Sequence, residues 1–233
     1  MKRILCIILL LVVNGPAFGA EMTQEDLIQN LKKGLWAIND LHWHFDMSYR
    51  LKNEPDEKGY SHKLIQADYW YTRRGSAREE SEMFYMPGSP KYLHIFKLEK
   101  KVYNVYVVAK DGDGSVQKTS FPASQWDASG ATPYYFFTQI KARIRMNIPW
   151  SIEYQPGPNM YVLTFDSPDQ AIFEINGKTW IPYSQTLSDE EKGTILKTSW
   201  DLIRINEGVS DEMFRVPEPQ QQSAAGQAVS PTH

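Results

Sequence analysis

Few residues in this sequence could bind a metal ion, and they occur in segments where the same residue types commonly have a purely structural role. His42 and His44 are two residues apart, and with Asp46 they could form a zinc site. All three fall on the polar face of a strand pattern, where histidines are ordinary surface residues, so we expect no metal there. Residues 111–114 resemble the start of a calcium loop, but Pro122 stands where a closing glutamate is needed, which favours a hairpin turn.

Motifs for catalysis are missing from the sequence as well. It has no Gly-Xaa-Ser-Xaa-Gly motif for a nucleophilic serine and no glycine-rich phosphate loop. The acidic run Glu79, Glu80 and Glu82 beside Arg78 is typical of a solvated strand edge rather than of paired catalytic carboxylates. We therefore expect no catalytic site, no metal and no cofactor, and the sequence favours a binding protein over an enzyme.

Aromatic residues are the feature that points to a function. They make up 13% of the chain, and many fall on alternating strand positions or on a helix in the middle of the chain. Any single one is more often part of the core than of a binding site. Together they predict a large concave apolar surface, which side chains need not fill, and half-open barrels with such a surface hold apolar ligands.

The first twenty residues have the pattern of a secretory signal peptide. A basic pair precedes ten apolar residues, 4–13, and small residues at 17, 19 and 20 follow a helix break. Ten apolar residues are too few to span the roughly 30 Å of a bilayer's hydrocarbon core. We therefore expect residues 1–20 to be removed by cleavage near Gly19 or Ala20, and the mature protein to be soluble in the periplasm.

Charge and cysteine content narrow the range of partners. Cys6 is the only cysteine and lies within the signal, so the mature chain has no disulfide and no thiolate metal site. The 25 basic residues include Lys2 and Arg3, so the mature chain has 23 against 28 acidic residues, a balance of −5. This balance argues against nucleic acid and against a strongly anionic membrane surface as partners.

A helix and a long strand open the mature chain. Thr23 and Asp26 form a capping-box pattern, and apolar residues at helical spacing follow, which predicts a helix that ends at residues 39–40. From Leu41 to Lys52 every odd residue is apolar or aromatic and every even residue is polar. This alternation predicts a long strand with one buried face and one wet face.

Nine more strands are predicted, with a second helix between them. Thr132 and Pro133 predict the start of this helix, and its consecutive aromatic residues make it apolar on more than one side. Asn176-Gly177 predicts a two-residue hairpin turn. The predicted strands cover residues 60–73, 76–86, 92–98, 102–109, 150–155, 160–165, 171–175, 178–187 and 194–205, and a helical turn covers 210–214.

These elements predict the fold class. About ten mostly antiparallel strands and two helices indicate an α+β protein, a strongly curled, incomplete antiparallel β-barrel with helices covering its concave face. We expect this domain to extend over residues 21–216. Residues 217–233 contain almost no large apolar side chain and predict a disordered C-terminal tail.

The order of the elements resembles that of the outer-membrane lipoprotein carrier family, LolA and its relatives, over residues 26–219. Residues 26–45 look like the opening helix and first strand of that family. Residues 67–73, Ala-Asp-Tyr-Trp-Tyr-Thr-Arg, are similar to its Trp-containing strand, and the helix after the threonine–proline pair is similar to its mid-chain lid. Residues 206–217 resemble its Asn…Phe…Pro ending.

The resemblance implies a monomer that binds the acyl chains of a lipoprotein or lipid and moves this cargo between membranes. Its partners would be inner-membrane donor and outer-membrane acceptor proteins. In the family an arginine at the end of the Trp strand holds the lid shut; Arg73 is the matching position, although Arg74 stands where the family has proline. The predicted cavity and lid residues are Trp43, Phe45, Met47, Tyr49, Trp70, Phe136, Phe137 and Ile140.

Two alternatives stay open at the level of the sequence. The parity of the second strand is open, so its alternate residues Ile65, Ala67, Tyr69 and Tyr71 could face inward in place of Trp70. The function could also be that of an envelope-stress sensor or regulatory module on the same fold. Such a module would have an exposed apolar patch and form a stable complex with a protein.

Overall fold

The chain is described by a computed structural model that covers residues 22–55, 59–112, 114–124, 134–167 and 169–218, with only the backbone at 202 and 203. The predicted signal peptide, the predicted helix start at Thr132 and Pro133, and the tail beyond residue 218 lie outside these ranges. Within the described ranges, no helix combines the length and the apolar character needed to cross a membrane.

The described residues include eleven strands, two α-helices and a 3-10 turn near the C-terminal end of the described chain. The helices are α1 (Gln24–Trp36) and α2 (Tyr135–Arg145), and the 3-10 turn is Asp211–Phe214. The strands are β1 (Asp40–Leu51), β2 (His62–Thr72), β3 (Ser76–Met83), β4 (Lys91–Glu99), β5 (Val102–Ala109), β6 (Val116–Pro122), β7 (Trp150–Gln155), β8 (Met160–Phe165), β9 (Ala171–Asn176), β10 (Pro182–Asp189) and β11 (Thr194–Ile205).

All eleven strands belong to one antiparallel sheet whose centre is the pair formed by the first and last strands. The order is β6-β5-β4-β3-β2-β1-β11-β10-β9-β8-β7, so two runs of sequential hairpins meet at β1 and β11. The sheet is curled and does not close, because β6 and β7 are the two edges and do not pair with each other. The predicted α+β half-barrel is therefore confirmed.

The chain between the two edge strands explains the position of α2. It leaves the sheet at β6 and returns at β7, on the opposite edge, so it has to cross one face of the sheet. Phe136 and Ile140 of α2 are completely buried in the same core cluster as the inward residues of β1. Helix α2 therefore lies over the concave face.

Helix α1 covers another part of the same face and is fixed at both ends. The predicted capping box is confirmed, since the amide of Asp26 donates to Thr23 Oγ1 at 3.1 Å and the Thr23 amide donates to Asp26 Oδ2 at 3.3 Å. At the other end, Asn206 Oδ1 accepts from the amide of Asn39 at 2.6 Å, and Asn206 Nδ2 donates to Ala37 O at 2.8 Å. The end of β11 thus holds the junction between α1 and β1.

A smaller apolar cluster lies on the convex face. Leu93, Ile95 and Val108 are buried there, and Val216 packs on them from the C-terminal segment. Arg78 Nη1 of β3 donates a hydrogen bond to the carbonyl of Met213 at 3.0 Å, which links this segment to the sheet. The residues after β11 therefore belong to the folded domain as far as this cluster.

Two details of the sheet differ from the sequence prediction. Strand β6 was not predicted, because its residues are mostly exposed at a sheet edge and lack apolar alternation. The predicted two-residue turn at Asn176-Gly177 is wrong, since β10 begins only at Pro182. Asn176 Oδ1 accepts from the amides of Lys178 and Thr179, which stabilises a longer connection.

The packing of α1 on the β9–β10 connection yields a stability prediction. A Cβ atom on Gly34 would lie 2.1 Å from the carbonyl oxygen of Thr179, and that backbone atom cannot move aside without shifting the turn. We expect Gly34→Ala to lower the free energy of unfolding by about 1–3 kcal/mol, measured by urea unfolding. Gly157→Ala is the matched control, because a Cβ there meets no atom within 4 Å; equal effects of the two substitutions would contradict the proposed contact.

Candidate functional site

The buried face of β1 lines the concavity of the sheet. Leu41, Trp43 and Phe45 point inward and are buried, as the alternation predicts. The Trp43 ring stacks on Tyr69 of β2, with centroids 5.0 Å apart and an interplanar angle of 11°. It also contacts Trp200 of β11 at 5.6 Å, so the central strands share one aromatic layer.

Helix α2 completes this layer from above. Its Phe136 ring lies 4.4 Å from Trp200 and 6.4 Å from Phe173 of β9, measured between centroids. Phe136, Ile140, Trp43 and Trp200 expose at most 1% of their surface. In this conformation the rings occupy the space between helix and sheet, where the sequence analysis expected an open hollow.

Three buried nitrogen donors face this apolar layer without an acceptor among the described residues. They are the indole Nε1 atoms of Trp43 and Trp200 and the amide Nε2 of Gln185. Gln185 is only 2% exposed and pairs across strands with Thr198, two residues before Trp200 on β11. A buried donor without an acceptor is destabilising, and native proteins contain few of them. Around Trp43 and Trp200 the concave face is therefore apolar, with unused hydrogen-bonding capacity.

Trp70 is the predicted cavity residue that the structure corrects. Ala67, Tyr69 and Tyr71 are the buried residues of β2, so the alternate residue Trp70 lies on the convex face. There its ring stacks on His42 at 4.6 Å, and the Arg78 guanidinium lies 5.7 Å from it. The sequence could not decide the parity because both faces of this strand carry apolar or aromatic residues.

The remaining predicted residues lie around the core rather than in one pocket. Met47 is partly buried against the main cluster. Tyr49, further along β1, stacks on His62 at 4.7 Å. Phe137 is half-buried and lies on the side of α2 that faces α1.

An open cleft of about 590 Å³ separates α1 from α2. Phe137 and Leu35 are its larger apolar side chains together with Trp36, and the Lys141 ammonium lies 5.9 Å from the Phe137 ring. The residues that line the cleft are Lys32, Leu35, Trp36, Tyr134, Phe137, Thr138, Lys141, Ala142 and Arg145. None of them is acidic, so the cleft is apolar at its walls and cationic at its rim.

Arg73, the predicted lid latch, contacts α1 rather than α2. Its guanidinium donates to the carbonyl of Trp36 at the end of α1, and its amide donates to Asn39 O at 2.7 Å. The link from β2 to α2 runs instead through Tyr71, whose hydroxyl is hydrogen-bonded to that of Tyr134. Burial, followed by Tyr134, raises the pKa of Tyr71 far above its ordinary value, so this phenol stays a neutral donor.

Glu79 was expected on a solvated strand edge, and the structure places it inside. Strand β3 is internal, and Glu79 lies between Tyr69 of β2 and His94 of β4 on the concave face. Its Oε1 is 3.2 Å from His94 Nδ1. Burial alone would raise the pKa of Glu79, but its polar neighbours, His94 first and then Ser81 and Tyr69, outweigh burial and hold this pKa below its ordinary value. Sequence reasoning missed this buried carboxylate because its neighbours come from three strands.

The candidate zinc residues interact with their neighbours on the convex face. His44 Nδ1 lies 3.2 Å from Asp68 Oδ1, and Asp46 accepts hydrogen bonds from Ser48 and Gln66. Across the described part of the chain, no group of three or more histidine, cysteine, aspartate or glutamate residues is arranged to hold a metal ion.

Comparison with known proteins gives matches at the level of solved structures only. No family model and no curated protein matches the chain. A DUF1329 family protein from Desulfovibrio piger matches with a TM-score of 0.38 and 11% identity, over 82% of this chain and 96% of that one. A LolA superfamily protein from Nitrosomonas europaea matches with a TM-score of 0.35 and 7% identity, over 84% and 98%.

A putative outer membrane lipoprotein-sorting protein domain from Vibrio parahaemolyticus matches with a TM-score of 0.36 and 9% identity, over 80% of this chain and 95% of that one. The family that the sequence motifs resemble is thus among the matched structures. At these TM-scores the matches do not assign a function to this chain.

The Glu79–His94 pair predicts a pH-dependent contribution to stability. Because the pKa of Glu79 is lowered in the folded protein, its contribution is present above the ordinary glutamate pKa of about 4.3 and is lost as the pH falls below it. We expect Glu79→Gln to lower the free energy of unfolding by about 1–3 kcal/mol at neutral pH. In urea unfolding at a series of pH values, the difference from the wild type should shrink below about pH 5.

Glu82→Gln is the control for this prediction, because Glu82 lies on the same strand and its nearest cation, Lys91, is 3.9 Å away. We expect it to change the free energy of unfolding by less than about 0.5 kcal/mol. A Glu79→Gln difference that stays constant with pH would contradict the buried carboxylate.

Proposed function

We propose that this protein binds an acyl chain of a lipoprotein or lipid in the apolar concavity beneath α2, and carries it through the periplasm between two membranes. The observation that carries this proposal is the aromatic layer of Trp43, Trp200 and Phe136, in which a short helix supplies the covering ring of an open sheet. Transfer by such a protein consists of binding and release, and it needs no reacting group or cofactor.

Without a ligand, side chains of α2 occupy the space in which the acyl chain would bind. If α2 moves outward, Phe136 and Ile140 leave the concavity and Trp43, Phe45 and Met47 become its lining. Exposing two such side chains costs roughly 3–6 kcal/mol, whereas removing a sixteen-carbon chain from water gains about 12 kcal/mol. The exchange is favourable but only moderately so, which suits a carrier that has to release its cargo.

Helix α2 is the element suited to this movement. It has no side-chain cap at its N-terminus, in contrast to α1 with its capping box. Phe137 stands on the outer side of the helix at the cleft with α1, where it would guide the chain inward. Arg73 would steady the end of α1 while α2 moves, and Tyr71 would release Tyr134.

The unused donors on the concave face fit the polar end of such a ligand. An acyl ester or carboxylate offers oxygen acceptors, and the indoles of Trp43 and Trp200 and the amide of Gln185 are buried donors on the same face. Binding would give these groups the acceptors that the described residues do not supply. The preferred cargo is therefore an acyl group that still carries its oxygen atoms, not a hydrocarbon.

A regulatory module that binds a protein partner is the second candidate. The filled interior favours it, because Trp43, Trp200 and Phe136 leave little open volume in this conformation. Such a module would keep its core closed and use an outer surface. The two functions differ in whether the interior opens to lipid.

Lipid binding can be measured directly on the purified mature protein. We expect lipids to be found by mass spectrometry of the purified protein, and a fluorescent fatty acid to bind saturably. A stable protein complex without either lipid signal would favour the regulatory module and remove the carrier function.

Phe137→Glu tests the role of α2 in this binding. A carboxylate at the cleft opposes the passage of an apolar chain, so we expect affinity for the fluorescent fatty acid to fall on the order of tenfold or more. Tyr85→Glu is the control, since Tyr85 is 57% exposed in the β3–β4 connection. Both variants should keep the wild-type circular dichroism, and undiminished binding by Phe137→Glu would reject the lid role of α2.

Gln185→Leu separates ligand recognition from stability. Leucine has a similar volume and no donor, so the unbound protein should gain about 1 kcal/mol in free energy of unfolding. The same change removes a donor for the acyl oxygen, and affinity for the fluorescent fatty acid should fall about tenfold. Loss of both stability and affinity would show that Gln185 has a structural role instead.

A further inference from the structure

An exposed tryptophan marks the face of the molecule where α1 and α2 lie side by side. Trp36, the last residue of α1, is 64% exposed, although most large apolar residues of the described chain are covered. Met146, which caps the C-terminus of α2, is also 64% exposed. Both helices therefore end in a large apolar side chain that meets solvent.

Cations surround Trp36 on this face. Lys32, Lys141 and Arg145 line the cleft with it, and Lys33 lines an adjoining depression on its other side. None of these four is ion-paired with a carboxylate of the described residues. Helix α2 itself contains no acidic residue.

This local charge is opposite to that of the whole chain, whose formal net charge is −3. The overall balance led us to expect little attraction to an anionic membrane surface. A cluster of unpaired cations on one face changes that expectation, because electrostatic attraction at close range depends on the charges within about one Debye length, about 8 Å at physiological salt.

A bilayer surface with anionic headgroups has the matching chemistry. Tryptophan favours the boundary between headgroups and acyl chains, where its ring is apolar and its N–H is wet. Lysine and arginine extend their apolar stems along that boundary and place their charges at the phosphates. The Phe137 ring, beside the Lys141 ammonium, would continue the apolar strip toward the inside of the cleft.

We propose that the face formed by Lys32, Lys33, Trp36, Lys141 and Arg145 docks the protein on the surface of an anionic phospholipid bilayer. The indole of Trp36 enters the headgroup boundary, and the four cations contact phosphate groups. Docking in this orientation brings the cleft between α1 and α2 against the membrane. This inference goes beyond cargo binding and does not depend on it.

Vesicle flotation of the purified mature protein tests the docking. We expect binding to vesicles of phosphatidylglycerol mixed with phosphatidylcholine, little binding to phosphatidylcholine alone, and weaker binding as salt is raised. Trp36→Ala should weaken binding about tenfold even at low salt. Equal binding to both kinds of vesicle, or none to either, would overturn the proposal.

A matched pair of double variants separates this face from general charge. Lys32→Gln with Lys141→Gln should weaken binding to the phosphatidylglycerol vesicles about 25-fold, at about fivefold for each cation. Lys100→Gln with Lys101→Gln removes the same charge from the exposed turn between β4 and β5 and should change binding less than about threefold. Equal losses in the two double variants would contradict a specific face.

Cargo binding and docking give separate readouts. Saturable fatty-acid binding in solution without flotation of the wild type would reject docking and leave the carrier function in place. Flotation without fatty-acid binding or co-purified lipid would reject the carrier function and leave membrane docking in place.

Discussion

The pairing of the first strand with the last is the constraint on which the rest of the structure depends. Strands β1 and β11 lie at the centre of the sheet, and the two hairpin series extend from them in opposite directions. The connection between β6 and β7 then has to cross the concave face, and it carries α2 with it. The aromatic layer follows from this topology, because β1, β11 and α2 each contribute one ring to it.

The interior combines an apolar layer with polar groups whose hydrogen bonding differs across the sheet. In one half, the buried carboxylate of Glu79 lies 3.2 Å from His94 and opposite Tyr69, so it connects β2, β3 and β4. At the centre, the donors of Trp43, Trp200 and Gln185 have no acceptor among the described residues. Glu79 and its neighbours stabilise the β2–β4 part of the sheet. The donors without acceptors give the proposed binding region its preference for oxygen-bearing ligands.

The sequence predicts elements that have one apolar buried face and one polar solvent-exposed face. It does not predict the orientation of elements whose two faces are alike. The alternation in β1 gives the inward residues Trp43 and Phe45 directly, and the capping box gives the start of α1. Strand β2 carries aromatic residues on both faces, so Trp70 was assigned to the wrong one. Glu79 could not be located, because its burial depends on Tyr69 and His94, which become its neighbours only when three strands pair.

The contact of Asn206 with the α1–β1 junction has a consequence for the order in which the chain folds. The side chain that holds Ala37 and Asn39 comes from more than 160 residues further along the chain. Neither the central strand pair nor the hydrogen bonds of Asn206 to the α1–β1 junction can form until β11 has been synthesised. Pairings of such long sequence separation also form slowly. The nascent polypeptide therefore stays without its central strand pair until β11 has been made, which keeps the preceding residues in a state that can be threaded unfolded through a translocation channel.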